Sequence, residues 1–80
     1  MSHTPHELAE EFPADVEKMQ ALKAKDAHFA KLFDDYHAVN KTIHRAESNL
    51  EPVADEHEET LRKQRLALKD EIAAALRAAP

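Results

Sequence analysis

The chain has 80 residues, a formal charge of −5, and neither cysteine nor glycine, which bounds it to one small domain and excludes a disulfide framework and thiol chemistry. Without glycine, phosphate-cradling loops and the sharp turn of a calcium loop have no material to form from, and no apolar run approaches the ~20 residues a membrane span needs. Abundant Ala, Leu, Lys and Glu predict an all-α protein built from long helices.

Thr4-Pro5-His6-Glu7 offers a capping hydroxyl, a proline at the first helical position and a carboxylate three residues beyond the cap, so a short helix is predicted over about 5–11. Leu8 and Phe12 lie on its apolar side. Pro13 ends it and starts a second helix, predicted over about 13–49. There Leu22, Phe29, Tyr36, Ile43 and Leu50 recur every seven residues, with Leu32, Val39 and Ala46 on the adjoining row, the pattern of a coiled-coil-like seam.

Pro52 in Leu50-Glu51-Pro52-Val53 breaks the helix and sets a turn over about 50–54. A third helix follows over about 55–78, with Asp55 and Glu58 as a capping box and Leu61, Leu68, Ile72, Ala75 and Leu76 as its apolar stripe. Glu58 with Arg62, and Glu59 with Lys63, stand at the favourable i, i+4 spacing. The last two helices therefore make an antiparallel two-helix, coiled-coil-like hairpin in a single domain over residues 1–80. Pairing outward from the turn sets Ile43 near Leu61, Tyr36 near Leu68 and Leu32 near Ile72, and the predicted core is Phe29, Leu32, Tyr36, Val39, Ile43, Leu50, Leu61, Leu68 and Ile72.

At about 1.5 Å per residue the second helix would reach roughly 55 Å and the third roughly 36 Å, leaving Val16, Met19 and Leu22 without a partner. Either the helix bearing Leu8 and Phe12 folds back over them or a second molecule covers them. Phe33 and Leu66 lie off the seam. Leu8, Phe12, Val16, Met19, Leu22, Phe33 and Leu66 are thus the candidate interface of a self-associating chain. One core of this size contributes only about 3–5 kcal/mol unaided, which adds to the expectation of a homo-oligomer.

The run His6-Glu7-Leu8, Glu11-Phe12-Pro13, Leu22-Lys23 with His28-Phe29-Ala30-Lys31-Leu32, then Lys63-Gln64-Arg65-Leu66 with Leu68-Lys69-Asp70-Glu71-Ile72, resembles the YdcH family of small bacterial proteins over nearly the whole chain. That resemblance implies a helical hairpin, no established catalytic residues, an unknown function and a bacterial cytoplasmic setting. Met1 to Glu7 combine neither a basic region nor an apolar run, and the chain is read as cytoplasmic.

Catalytic and cofactor groups are not expected. Asp34 and Asp35 beside Tyr36, or Asp70 beside Glu71, project about 100° apart on a helix and do not converge on one substrate. Among the six histidines only His3 and His6 have ligand-like spacing, at a terminus, and no cysteine is available to complete a zinc site. His37 and His44, one heptad apart, could form a pH-sensitive flank. Arg62, Lys63, Arg65 and Lys69 gather four bases within eight residues, an alternative contact for RNA phosphates, although nearby acids offset them and no aromatic is interleaved to stack bases. The sequence favours a non-enzymatic module that self-associates and docks on an unidentified protein.

Overall fold

The computed structural model describes residues 5–48 and 54–79, within which every regular element is helical. In chain order these are α1 (Leu8–Glu11), a 3₁₀ turn (Pro13–Asp15), α2 (Val16–Lys25), α3 (Ala27–Glu47) and α4 (Asp55–Ala78). Thr4, Leu50 and Pro52, and with them most of the predicted turn, lie outside the described residues.

Two cross-links fix the direction of the α3–α4 pair. Arg65 bonds Asn40 and Arg62 bonds Glu47, so higher numbers in α3 meet lower numbers in α4 and the helices form an antiparallel hairpin. Leu32, Tyr36, Ile72 and Leu76 share a buried cluster with Phe29, against which Leu68 is partly buried. Ile43, Ala46 and Leu61 are buried outside that cluster.

The helix expected over 13–49 is not continuous. Its first turn is 3₁₀, and at Asp26 the backbone is extended (φ −125°, ψ 104°). The carboxylate of Asp26 accepts hydrogen bonds from the backbone N–H groups of His28 (3.0 Å) and Phe29 (3.2 Å), an N-cap that starts α3. Few backbone bonds are lost at the break, because the Asp26 N–H still reaches the Leu22 carbonyl and the Asp26 carbonyl accepts from Ala30. An unbroken helix would need about 55 Å, whereas the longest dimension is 41 Å. The bend lets Met19 and Leu22 of α2 join the cluster of Phe29, Leu32 and Leu76.

At the N-terminus the helix begins three residues later than expected. His6 has a positive φ of 64°, and Glu7 is extended and caps α1 without a side-chain hydrogen bond. A non-glycine residue in this region costs on the order of 1–3 kcal/mol unless its surroundings hold it there. Here the Tyr36 hydroxyl and the Asn40 amide take the carbonyls of His6 and Pro5. Leu8 is thereby driven into the core cluster beside Met19 and Leu22, with Phe12 packed at its edge. The segment Pro5–Phe12 acts as a strap over the open end of the hairpin.

α4 keeps its predicted limits, but the expected Asp55–Glu58 capping box does not form. Ala54 occupies the cap position with no side-chain bond, Asp55 is already helical, and Glu58 reaches forward to Arg62 (2.7 Å). Asp55, Glu56 and Glu58 still crowd the first turn, where the helix dipole favours negative charge.

Candidate functional site

Asn40 organises the polar side of the hairpin. It is 2% exposed, whereas Val39, the residue the seven-residue pattern assigned inward, is half-buried. From Tyr36 the buried row advances by four rather than three, as the 3.6-residue period permits. The buried amide has both ends occupied: its nitrogen donates to the Pro5 carbonyl (2.9 Å) and its oxygen accepts from Arg65 Nη1 (2.9 Å). One asparagine thus ties the strap, α3 and α4 together.

Tyr36, fully buried, donates its hydroxyl to the His6 carbonyl at 2.6 Å. Burial first, then the Glu11 carboxylate, pushes its phenol up to about 12, against the lowering effect of Arg65. The hydroxyl therefore stays protonated as a structural donor. Around it, Glu11 Oε1 accepts from His6 Nδ1 at 3.0 Å and lies 3.4 Å from Lys69 Nζ, and Glu7 Oε2 is 2.9 Å from His37 Nδ1. The hydrogen bond from His6 holds the Glu11 carboxyl below its usual range, opposed by burial and helped by Lys69. Among the described residues no buried side-chain nitrogen or oxygen lacks a partner.

Of the candidate interface, Leu8, Met19 and Leu22 are buried inside this chain, so the strap supplies the cover that the sequence left open between two sources. Phe12 and Phe33 are partly buried against the same cluster. Phe33 has His37 at 4.6 Å between ring centroids and Lys23 Nζ 4.4 Å over its face. Val16 and Leu66 remain outside, at 38% and 59% exposure.

The cations of α4 are largely engaged. Arg62 bonds Glu47 (3.1 Å) and Glu58 (2.7 Å), Lys63 lies 3.4 Å from Glu59, Lys69 is paired with Glu11, and Arg65 is turned toward Asn40. Arg62, Arg65 and Lys69 nevertheless flank Leu66 in one shallow depression. On the other side of the hairpin an open groove of about 430 Å³ is walled by Ala38 and Val39 of α3 and Ala67 and Leu68 of α4, with Asp35 and Glu71 at its rim.

Asp35 is paired with Lys31 at 2.9 Å. Asp35 and Glu71 line the open groove, whereas the Tyr36 hydroxyl donates to the His6 carbonyl of the strap. Among the described residues no group of three or more His, Asp or Glu side chains is placed to hold a metal ion. No described helix is long and apolar enough to cross a membrane. His37 contacts Glu7, Phe33 and Tyr36.

Fold and polar side together describe a small all-α hairpin closed by an N-terminal strap. The chain belongs to the family described as a protein of unknown function, DUF465, whose model matches residues 29–76. That match runs from Phe29 near the start of α3 to Leu76 near the end of α4, and leaves the strap and α2 outside it. No curated protein and no solved structure matches the chain.

Proposed function

We propose that the protein is a non-enzymatic interaction module, a helical hairpin that self-associates and docks on another protein. The observation that carries this reading is Leu66. It stands 59% exposed in the middle of α4, and among the described residues Val16, at 38%, is the only other exposed large apolar side chain. An exposed leucine on a rigid helix, and a groove lined by Val39, Ala67 and Leu68 on the other side of the hairpin, are the types of surface that helix packing between molecules uses. The sequence resemblance to the YdcH family accords with this, and carries with it the proposal of a bacterial cytoplasmic protein.

RNA association through Arg62, Lys63, Arg65 and Lys69 is less well supported, because four carboxylates and Asn40 already hold these side chains. Affinity capture of the tagged chain from native extract, with and without nuclease, separates the two readings. A defined protein retained after nuclease and lost in Leu66→Glu supports docking. Recovery of RNA and ribosomal proteins that nuclease abolishes would replace it with the nucleic-acid reading.

A further inference from the structure

The two sides of the hairpin are complementary to each other rather than each to itself. On α4 the stripe of Leu61, partly buried Leu68 and Ile72 faces α3, and helical periodicity puts Leu66 beyond one edge of that stripe and Ala67 beyond the other, about 100° apart on the outer face. Leu66 is a projecting apolar residue bordered by Arg62, Arg65 and Lys69. Ala67 is a wall of the apolar groove bordered by Asp35 and Glu71. Most of these charges are met within the chain, Arg62 by Glu47 and Glu58, Lys69 by Glu11 and Asp35 by Lys31, which leaves Arg65 beside the knob and Glu71 at the rim of the hollow.

The charges left over within the chain point the same way. Arg65 is half-buried and bonds only a neutral amide oxygen, so its positive charge has no carboxylate partner among the described residues. Glu71, exposed at the groove rim, likewise has no cation partner among them. A partner for the hollow needs a leucine-like side chain with a cation beside it, and Leu66 with Arg65 on this same protein has that chemistry.

We infer that a second copy of this chain occupies the groove, with its Leu66 entering between Ala38, Val39, Ala67 and Leu68 and its Arg65 facing Glu71. The contact is heterologous, using different patches on the two molecules, so a pair keeps one free knob and one free groove and assembly continues beyond it unless a ring closes. The inference rests on the self-association part of the proposed function and specifies its geometry. Opposite charge across the contact makes the assembly weaken as salt rises, because screening shortens the reach of exposed charges.

Mixing two variants tests it. Leu66→Glu removes the knob, and Ala38→Glu, an exposed position on the α3 wall, blocks the groove. Each is expected to sediment as a monomer at concentrations where wild type associates, with helical circular dichroism unchanged. An equimolar mixture is expected to regain association that stops at a pair, since one intact knob then meets one intact groove. Should Ala38→Glu lose helicity, Glu71→Lys serves as the groove variant at an exposed site. An associating wild type with no rescue in the mixture, or either variant alone associating as wild type does, would overturn the head-to-tail contact while leaving self-association standing. A monomeric wild type would overturn both.

Discussion

Replacing Asn40 with alanine removes two hydrogen bonds at once and leaves the Pro5 carbonyl and the Arg65 guanidinium without their partners. A buried polar group that loses its partner costs about 1–3 kcal/mol, so Asn40→Ala is expected to lower the urea midpoint by an amount corresponding to about 2 kcal/mol. A loss under about 0.5 kcal/mol, the usual scale of surface substitutions, would mean that the amide does not tie the strap. Tyr36→Phe keeps the ring in the core and removes only the bond to the His6 carbonyl, for which about 1 kcal/mol is expected. Asp26→Ala removes the side-chain cap of α3, again about 1 kcal/mol by the same measurement.

These residues also mark where the sequence was silent. The buried rank of Phe29, Tyr36, Ile43 and Ile72 follows from large apolar side chains at helical spacing. Asn40 does not, because an asparagine is buried only when partners await it, and its partners lie 35 residues away at Pro5 and 25 residues away at Arg65. The seven-residue pattern selected Val39 instead, where the short-range count fits equally well. Asp26 was visible as a residue type, but the apolar rows run through it in phase and periodicity gives no sign of a break. Only its backbone, free to turn extended while its carboxylate bonds two N–H groups, makes it a cap.

Among the elements, α4 was the most legible, since its start and extent follow from its own apolar stripe and from the proline at position 52 in the sequence before it. The strap was the least. Pro5–Phe12 carries only one fully buried side chain, Leu8, and its shape is dictated by the α3 side chains Tyr36 and Asn40 that donate to its carbonyls rather than by its own propensity. Its acid dependence follows from Glu11. The carboxyl is held below its usual value in the folded chain, so the stabilisation it brings is present above the unfolded carboxylate range and disappears as pH falls through the lowered folded value. Acid unfolding of Glu11→Gln should therefore lack the part of the wild-type pH dependence that lies between the unfolded and folded values. Superimposable pH profiles for the two chains would show that the link from Glu11 to His6 and Lys69 contributes nothing to the strap.

The molecule as a whole measures 41 × 28 × 18 Å, a hairpin closed at one end by its own N-terminal segment. Because Leu8, Met19 and Leu22 are covered internally, the proposed self-association has to use what remains, and among the described residues the most exposed large apolar group is Leu66. The most direct measurement is sedimentation velocity of the wild-type chain over a hundredfold range of concentration, with Leu66→Glu run alongside. Wild type is expected to shift to faster-sedimenting species as concentration rises, while Leu66→Glu remains a folded monomer throughout. A wild type that stays monomeric over the whole range, or a Leu66→Glu chain that associates as strongly as wild type, would contradict an interaction module built on this face of α4.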